Sequence, residues 1–536
     1  MAIGPRGKSF GMGGHDALAM RLPRAHPWSF ACIALAALTA GVYVGVHPAT
    51  PDLAAQAFRA DLVADHGLVL WDGQWYGGHS TPGYSVVAPA VAAALGLWIT
   101  GALTIVVSAV LFERLVGDRF GTGGRVGALW FAVGVGSSLF SGRLTFALGV
   151  AVGLAALVAA QSERPALGGG LSALTMLTSP LAGAFLALVS TARAIATRGR
   201  GDMVVATCAL LSGLALSMAF PERGVQPFGV PAIQWILLVT AVGFVAVPRQ
   251  HRALRVGIVL YAAAAVAAYV IDTPVGNNVA RLGALFGGPI AACVLWPRPL
   301  VLGLLALPLL GWQWARPVID VQAAANDPST QRSYYTPLVD ALRRQPATPV
   351  GRLEIPITHN HWEATYVAPT VALARGWERQ LDRQVNAVFY RGGLTAASYR
   401  AWLDQLGVRW VALPDTRLEG ASYPESRLIR AGLPYLRPVW RNRHWQLFAV
   451  RHPAPLVRGP AHVTAMTIDS FTLHADRPGR LQVSVHWQPY WALTRGRGCV
   501  YPAGEWTGMR ARAAGSIRVA TAFAIQRIGA SSPRCR

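Results

Sequence analysis

Long apolar runs separated by short polar connectors dominate the chain from about residue 28 to residue 312, after which polar residues return. The runs are rich in Ala, Leu, Val and Gly, and most approach the roughly 20 residues that a helix needs to cross a bilayer. The pattern predicts a polytopic α-helical membrane protein with a C-terminal water-soluble section. The predicted spans, about eleven in number, cover residues 29–47, 84–113, 124–141, 144–161, 166–178, 180–196, 203–220, 231–247, 253–271, 282–296 and 299–313.

Arginines are concentrated in every second connector, which gives the predicted spans a direction. Connectors near residues 193–200 and 249–255 carry several arginines, whereas those at 48–83, 221–230 and 272–281 carry one each. Because basic connectors stay in the cytoplasm, the N-terminus is predicted to be cytoplasmic. An odd number of spans then places the C-terminal section on the extracytoplasmic side of the plasma membrane. The short fifth and sixth spans could instead form a re-entrant hairpin, which leaves the parity odd.

The change in polarity along the chain predicts four parts. A cytoplasmic tail covers residues 1–28, and a transmembrane domain covers 29–313 with an outer-face loop at 48–83. An exported α/β domain follows at 314–455, and an exported β-sandwich-like domain follows at 456–536. The apolar runs begin near residue 29 and give way to mixed patterns near 314, and short alternating segments follow from about 460.

Within the exported section, the sequence predicts particular strands and helices. RLEIPIT (352–358), RWVALP (409–414) and HWQLFAV (444–450) alternate as strands do, and TAASYRAWLDQLG (395–407) has helical spacing. After about residue 460, short alternating segments punctuated by Gly and Pro are typical of a small β-sandwich. Cys499 and Cys535 both fall there, where a disulfide would persist, and their pairing stays open.

Composition narrows the class of partner. Only 14% of the residues are charged, against about 25% in soluble proteins, yet the formal net charge is +23. Lys8 is the only lysine, and no basic block alternates with aromatic residues as a nucleic-acid interface would require. The excess of arginine therefore favours membrane lipids and phosphate-bearing substrates as partners, and no nucleic acid.

The first outer loop contains the best candidates for a catalytic acid. PDLAAQAFRADLVADHG (51–67) is predicted to be helical, with Asp52 in its first turn after a proline. Asp52, Gln56 and Arg59 are spaced four and three apart and share one face of that helix. Asp61 lies nine residues beyond Asp52 and faces the opposite way. An acid facing a cavity at the end of a span could accept a proton from a sugar hydroxyl, whereas a solvated interfacial helix is the plainer interpretation.

The loop continues as DHGLVLWDGQWYGGHSTPGY (65–84), which is unusually rich in aromatic and hydrogen-bonding residues. Aromatic rings can stack on sugars, and they also collect at membrane interfaces without any ligand. The glycine and proline turns favour a folded, substrate-facing loop, with Asp72 as a further candidate acid. The predicted substrate-binding residues of this loop are Trp71, Trp75, Tyr76 and His79.

Two isolated arginines lie at predicted outer ends of spans. Arg143 occurs in SGRLTF, and Arg281 follows DTPVGNNVARLG (272–283), in which Asn277 is a further candidate for substrate binding. An arginine at an interface can extend its charged end to water without any ligand. It can also bind the phosphate of a lipid-linked donor through paired hydrogen bonds.

A second polar cluster occurs in the exported section, in THNHWEATY (358–366). His359 and His361 could present both rings on one face of a strand, although no third metal ligand occurs at a diagnostic spacing. With Glu363 they are predicted to line the interface with the membrane cavity and to contact the acceptor. The sequence thus identifies no metal site, and a divalent cation stays open as a cofactor.

The overall pattern resembles the GT-C superfamily of membrane glycosyltransferases. The similarity consists of a first span, an acid-bearing outer loop with an interfacial helix, many further spans and an exported α/β-plus-β section. WDGQWYGGHSTPGYS, FERLVGDRFG, SGRLTFALG and NHWEATY are also similar to a family of uncharacterised multi-span membrane proteins from GC-rich bacteria.

This resemblance implies an inverting transfer of a sugar from a polyprenyl-phosphate donor to a glycan or lipid acceptor of the cell envelope. The catalytic acid of the superfamily is placed on Asp52, with Asp61 or Asp72 as alternatives. The chain departs from the superfamily in having no adjacent pair of acids. The alternative interpretation is a transporter, or a non-catalytic scaffold or lipid-handling protein of cell-envelope assembly.

Overall fold

The computed structural model describes residues 27–221 and 224–529, apart from the side chains of Pro27 and Asp118. The predicted cytoplasmic tail and Cys535 lie outside the described residues, except for the last two residues of the tail. The first part of the chain is a bundle of helices with one small two-stranded hairpin. Its elements are α1 (Pro27–Val46), α2 (Pro51–His66), β1 (Trp71–Asp72), β2 (His79–Ser80), α3 (Ala88–Leu95), α4 (Leu97–Gly134), α5 (Gly136–Phe140), α6 (Leu144–Gln161), α7 (Pro165–Thr178), α8 (Pro180–Thr197), α9 (Arg200–Ala219), α10 (Val230–Ala246), α11 (Arg252–Val270), α12 (Ala280–Leu295) and α13 (Pro299–Ala325).

Seven helices within the described ranges are long and apolar enough to cross a membrane, which confirms the prediction of a polytopic helical membrane protein. A shorter apolar helix, Val230–Ala246, accompanies them. The total of eleven spans stays a prediction. The seven segments are Trp28–Val46, Leu97–Gly117, Leu144–Gln161, Pro180–Thr197, Arg200–Ala219, Arg252–Val270 and Gly276–Leu295.

The helix boundaries differ most clearly from the predicted spans in two places, the division at Gly96 and the end of α13. The predicted span 84–113 is divided at Gly96, which has φ 82° and separates α3 from α4. α4 consists of two helices that meet at Gly121, where φ is 53° and the backbone is not helical, so the predicted connector between the second and third spans is a break in the helix. α13 extends to Ala325, twelve residues beyond the predicted end at 313. Hydropathy marks where a helix is apolar, and it does not mark where backbone hydrogen bonding stops.

Small residues allow the helices to approach closely. α1 packs along α4, where a Cβ on Gly101 would lie 2.4 Å from the Tyr43 ring. On other helices large apolar side chains point away from the protein, as Leu210, Leu211 and Leu214 do on α9. Close packing through glycine and apolar outer surfaces are both typical of helices surrounded by lipid.

The chain then forms a mixed sheet with helices. Its strand order is β3-β4-β6-β5, in which β3 and β4 are parallel and the other neighbours are antiparallel. The predicted helix and the strands predicted at 409–414 and 444–450 are confirmed, whereas the strand predicted at 352–358 covers only its first three residues. The elements are α14 (Arg332–Arg343), β3 (Arg352–Glu354), α15 (Glu363–Tyr366), α16 (Arg379–Val385), α17 (Ala396–Leu406), β4 (Val408–Pro414), α18 (Tyr423–Ala431), β5 (Leu436–Arg441) and β6 (Trp445–Val450).

α17 shows how local sequence sets an element of this region. Thr395 caps its first turn, and the backbone N–H of Ser398 donates to the Thr395 hydroxyl at 3.1 Å. Gly407 ends the helix in the left-handed conformation, with φ 61°. Thr at the start and Gly at the end satisfy backbone groups that a helix otherwise leaves without partners.

The last part of the chain is a β-sandwich of two four-stranded sheets, with strand orders β12-β13-β10-β7 and β11-β14-β9-β8. Leu481, Val483 and Val485 alternate toward its core, as the sequence pattern predicts. Its strands are β7 (Val457–Arg458), β8 (Ala461–Met466), β9 (Ser470–Ala475), β10 (Gly479–His486), β11 (Trp491–Arg495), β12 (Gly498–Ala503), β13 (Trp506–Ala511) and β14 (Gly515–Thr521).

The C-terminal section rests on one end of the helical bundle. Trp362 donates to the Ala49 carbonyl at 3.0 Å, and Tyr490 donates to the Ala219 carbonyl at 2.6 Å. The Val225 amide donates to the Gln380 carbonyl at 3.1 Å. Connectors 48–83 and 221–230 therefore lie at the end of the bundle that carries this section. The side of the membrane on which this end lies stays a prediction.

Candidate active site

α2 lies between the bundle and the C-terminal section and presents the predicted row of polar side chains. Pro51 starts the helix at its first position, and Asp52, Gln56 and Arg59 follow along one face. Seven residues correspond to nearly two helical turns, so Arg59 lies almost directly behind Asp52 along the axis. Each of the three side chains contacts a different polar partner. The predicted common face of this helix is confirmed.

Arg143 approaches Asp52 from the N-terminus of α6. Its Nε lies 3.3 Å from Asp52 Oδ2. The preceding Gly142 has φ 76°, and a Cβ there would lie 2.3 Å from the Leu53 amide nitrogen. A residue with a side chain would clash with the α2 backbone, so this glycine allows the arginine to reach the acid.

Arg281 reaches the same carboxylate oxygen from the first turn of α12. Its Nη2 lies 3.9 Å from Asp52 Oδ2, and its guanidinium lies 5.6 Å from the centre of the Phe146 ring. The side chain of Asp52 is 36% exposed, and those of Arg143 and Arg281 are 26% and 21% exposed. Two cations on one anion leave an excess of positive charge at a partly open position, which favours an anionic ligand.

A polar network continues from this group along α2. The Gln56 amide donates to the Tyr84 hydroxyl at 2.8 Å, and the Thr145 hydroxyl donates to the Gln56 carbonyl. The Arg59 guanidinium lies 3.8 Å from the centre of the Tyr84 ring and forms a 2.6 Å ion pair with Glu378. The acid site is therefore tied to the C-terminal section through buried side chains on a single helix.

Asp320, which sequence reasoning missed, lies near the same site. It is 6% exposed, and it interacts electrostatically with Asp52 and Arg143. Arg316 Nε lies 2.8 Å from Asp320 Oδ1, without the angles of a hydrogen bond, and the Arg316 side chain is 60% exposed. The missed signal was the spacing of Gln313, Pro317 and Asp320, which continues one buried face of α13 beyond its apolar part.

The aromatic stretch 65–84 packs an interface instead of lining an open cavity. Trp75 is fully buried, stacks on Phe58 at 4.1 Å between ring centres, and donates to the Ala364 carbonyl at 3.3 Å. A Cβ on Gly376 would lie 2.3 Å from the Trp75 ring. The expectation that this loop faces the substrate is corrected here, because the folding of the C-terminal section onto it leaves the Trp75 ring no exposed face for a sugar.

The other predicted binding residues of this stretch are buried as well. Trp71 packs against Trp491 in the sandwich core, at 5.4 Å between ring centres. The Tyr76 hydroxyl accepts from the Glu378 amide at 2.8 Å. His79 lies nearly parallel to the Trp75 ring, 5.7 Å away. These side chains fix the C-terminal section onto the bundle.

Asp72 and His79 form a buried acid–base pair with unusual protonation. His79 Nδ1 lies 3.7 Å from Asp72 Oδ2, and neither atom has a hydrogen-bond partner among the described residues. Burial raises the pKa of Asp72 to about 7, against lowering by the Gln74 amide and Arg59. Burial and then Arg59 lower the pKa of His79 to about 3. Near neutral pH the histidine is therefore neutral, and the pair is not an ordinary ion pair.

Asp61 and Asn277 lie apart from the Asp52 carboxylate in different ways. Asp61 is exposed on the other side of α2. Although the side chain is exposed, the partial loss of water around its carboxyl raises its pKa, against lowering by Arg332. Asn277 is exposed in the turn Gly276–Val279, which precedes α12. The structure thus separates Asp61 and Asp72 from Asp52, and it brings only Arg143 and Arg281 of the predicted binding residues onto that acid.

The histidine cluster of the C-terminal section is not arranged as a metal site. His359 is half-buried, while His361 is buried and stacks on Trp377 with 3.2 Å between ring centres. Glu363 accepts from the Thr358 amide at 3.0 Å, and burial raises its pKa to about 7. Within the described ranges, no group of three or more His, Cys, Asp or Glu side chains is placed to hold a metal ion.

Comparisons with known proteins give only distant similarity. No family model matches the chain, and no curated protein matches it. The crystal structure of ArnT from Cupriavidus metallidurans in the apo state is similar at 13% identity and a TM-score of 0.39, covering 79% of this chain and 97% of that chain. The structure of the same protein bound to undecaprenyl phosphate gives 12% identity and a TM-score of 0.37, covering 79% and 98%.

Proposed function

We propose that this protein is an inverting membrane glycosyltransferase of the GT-C type. It would transfer a sugar from a polyprenyl-phosphate donor to a cell-envelope acceptor on the extracytoplasmic face. The observation that carries the proposal is the convergence of Arg143 and Arg281, from two different helices, on one carboxylate oxygen of Asp52. This group lies at the end of a membrane bundle, where a lipid-linked phosphate and a water-soluble acceptor can meet.

In this mechanism Asp52 is the general base. An acceptor hydroxyl attacks the anomeric carbon of the donor sugar, and Asp52 takes the proton that the hydroxyl loses. The new bond to the acceptor oxygen forms as the bond between the anomeric carbon and the phosphate oxygen breaks. The electron pair of that bond leaves with polyprenyl phosphate. Attack opposite to the leaving group inverts the configuration of the sugar.

The two arginines bind the phosphate that leaves. A guanidinium can donate two parallel hydrogen bonds to phosphate oxygens, and negative charge on these oxygens grows as the bond to the sugar breaks. Hydrogen-bond donors placed before the reaction stabilise that charge more than they stabilise the bound donor. Arg143 immediately precedes α6 and Arg281 lies in the first turn of α12, so two packed helices position both guanidinium groups.

The ion pairs also imply an exchange of ligands. Without donor, Asp52 occupies the two guanidinium groups, and its charge is neutralised by them. A phosphate that binds the arginines competes with Asp52 for the same donors. Once displaced, the carboxylate is available to accept a proton, so the base becomes active only when the donor is bound.

The matched pair Asp52→Asn and Asp61→Asn tests the proposal on one helix. Both substitutions remove a carboxylate from α2 and keep the side chain almost the same size. With a labelled polyprenyl-phosphate sugar, Asp52→Asn is expected to lower transfer by at least about 100-fold through the loss of general-base catalysis. Asp61→Asn is expected to retain transfer close to the wild-type rate.

The opposite outcome is equally clear. If both variants lose the same small fraction of transfer, Asp52 is not the base and the mechanism is wrong. If the wild-type protein binds polyprenyl phosphate and transfers no sugar from any lipid-linked donor, the lipid-handling alternative replaces it. Thermal unfolding of each variant, compared with wild type, separates a loss of chemistry from a loss of fold.

A further inference from the structure

The β-sandwich carries a cavity far along the chain from the Asp52 site. It has a volume of about 330 Å³ and lies on the sheet β11-β14-β9-β8. This volume is within the range of roughly 300–1,000 Å³ that small-molecule sites occupy. The lining residues are Ala465, Thr467, Ser470, Phe471, Thr472, Arg495, Ser516 and Arg518.

The register of the strands explains the shape of the cavity. Arg495 on β11 lies directly opposite Arg518 on β14, and Arg518 lies opposite Thr472 on β9. Ser470 and Ser516 lie two positions away from this row on the same strands, so they share its face. Short Ser and Thr side chains beside long arginines create a depression in an otherwise flat sheet face.

The charge of the cavity is one-sided. Like charges directly opposite each other on neighbouring strands destabilise a sheet, and Arg495 and Arg518 form such a pair. None of the lining residues is acidic. One Arg518 Nη atom donates to the Ser470 hydroxyl at 3.3 Å, which directs the guanidinium along the face. Asp469 lies at the rim, 3.5 Å from the Thr467 hydroxyl.

We infer that this cavity binds an anionic saccharide, a sugar chain that carries carboxylate or phosphate groups. The two arginines match the anionic group, and planar guanidinium groups pair well with carboxylate or phosphate oxygens. The hydroxyls of Thr467, Ser470, Thr472 and Ser516 can donate and accept hydrogen bonds, as the hydroxyls of a sugar require. The ligand is bound without being changed, because no Asp, Glu or His lines the cavity that could act as a general base and activate these hydroxyls.

The cavity is linked through the fold to the helix that carries Asp52. The Gly73 amide donates to the Ile468 carbonyl at 2.6 Å, so the turn that follows β8 rests on the loop after α2. A saccharide held in this cavity is thereby fixed to the same rigid assembly as the Asp52 site. If the proposed transfer is correct, the saccharide belongs to a polymeric acceptor, and this last step rests on that function.

Binding measured by calorimetry on the full chain in lipid nanodiscs tests the inference. The probes are a carboxylated hexasaccharide (oligogalacturonate), a neutral hexasaccharide (maltohexaose) and inorganic phosphate. The carboxylated probe is expected to bind more tightly than the other two, and its affinity is expected to fall as salt is added. The Arg495→Gln/Arg518→Gln double variant is expected to weaken its binding at least about tenfold, as the loss of hydrogen bonds to a charged group implies.

The chain offers a matched control in the other sheet. Arg480 on β10 and Arg510 on β13 are also directly opposite each other, and neither lines the cavity. The Arg480→Gln/Arg510→Gln variant has the same change in net charge and is expected to bind the carboxylated probe as wild type does. An equal loss in both double variants would mean that only net charge matters, and would overturn the site.

Other outcomes also decide the question. Equal binding of the neutral and carboxylated probes would refute the role of the arginines. Binding of phosphate as tight as that of the hexasaccharide would reduce the cavity to a small-anion site and refute the saccharide. The Asp52→Asn variant is expected to keep full saccharide binding. Failure of the cavity therefore leaves the transferase proposal standing, and failure of transfer leaves the cavity standing.

Discussion

Asp52 and Asp72 lie twenty residues apart in the same connector, and their surroundings are opposite. Asp52 is 36% exposed, and two arginines from other helices lie 3.3 and 3.9 Å from one of its oxygens. Asp72 is fully buried in the aromatic stretch, and one of its oxygens has no hydrogen-bond partner among the described residues. The open acid can exchange its partners for a ligand, whereas the buried acid is held by the fold. The segment that is richest in aromatic and polar residues is therefore a packed interface, and the candidate catalytic site lies next to it.

The largest expected effect is a loss of stability when the buried aromatic stretch 65–84 is changed. Trp75→Ala removes a fully buried indole between α2 and the C-terminal section. We expect it to lower the free energy of unfolding by about 3–5 kcal/mol, as for other buried aromatic residues replaced by alanine. Denaturant unfolding in detergent measures the change. Trp296→Ala, at a tryptophan that is 43% exposed, is the control and is expected to have a much smaller effect.

The next largest effect is a loss of lipid binding at the partly exposed Asp52 site, and the free energy of unfolding should stay unchanged. Arg143→Gln removes one of the two cations at Asp52, and it is expected to weaken polyprenyl-phosphate binding and transfer by about 10- to 100-fold, because hydrogen bonds to charged groups are strong. Arg164→Gln, at an exposed arginine elsewhere in the bundle, is the control. A large fall in unfolding temperature for Arg143→Gln would place Arg143 with the packed residues and remove the contrast.

The protonation of the buried pair gives a third test. Because burial raises the pKa of Asp72 to about 7, the folded protein holds a proton that the unfolded chain releases near pH 4. This contribution to stability is complete below about pH 4 and is lost as the pH rises through about 7. Asp72→Asn should therefore gain stability relative to wild type between pH 5 and pH 8, by on the order of 2 kcal/mol.

For His79, the dependence of stability on pH has the opposite sign. Burial lowers the pKa of His79 to about 3, so the folded protein binds fewer protons than the unfolded chain between about pH 3 and 6.5. Its contribution is present above about pH 6.5 and is lost as the pH falls towards 3. His79→Gln should therefore gain stability relative to wild type on acidification. Thermal unfolding at several pH values measures both variants, and parallel, pH-independent shifts would contradict the assigned protonation.

The smallest effect is an increase in affinity. In the proposed mechanism Asp52 competes with the lipid phosphate for Arg143 and Arg281, so Asp52→Asn should bind polyprenyl phosphate more tightly even though its transfer is expected to fall at least about 100-fold. Exposed ion pairs contribute about 0.2–1 kcal/mol, which corresponds to a gain of up to about fivefold. Asp61→Asn should leave the affinity unchanged. Weaker binding by Asp52→Asn would mean that the acid helps to hold the lipid.

The sequence predicts how the side chains of α2 are arranged, but it does not predict which other helices contact them. The spacing within α2 predicts that Asp52, Gln56 and Arg59 share a face, because helical periodicity is a local property. The meeting of Arg143 and Arg281 on a single oxygen depends on the packing of three helices, which no local pattern contains. Asp320 was missed because α13 continues beyond its apolar part.

In the aromatic stretch 65–84, the sequence does not determine what the side chains contact. Tryptophans beside glycine turns have the same sequence signature whether they stack on a sugar or on Phe58 and Trp491. Only the position of the C-terminal section, hundreds of residues away in sequence, decides that Trp75 is covered. The sequence shows that these residues can form ring contacts. The packing of the C-terminal section, which is distant in sequence, determines what the rings contact.

The most direct test of the proposed phosphate site is a cryo-EM map of the protein in nanodiscs with polyprenyl phosphate. We expect a lipid phosphate within hydrogen-bond distance of both Arg143 and Arg281, with Asp52 turned away from the two guanidinium groups. A phosphate bound elsewhere, with the Asp52–Arg143 ion pair intact, would contradict the exchange of ligands and with it the proposed site of transfer.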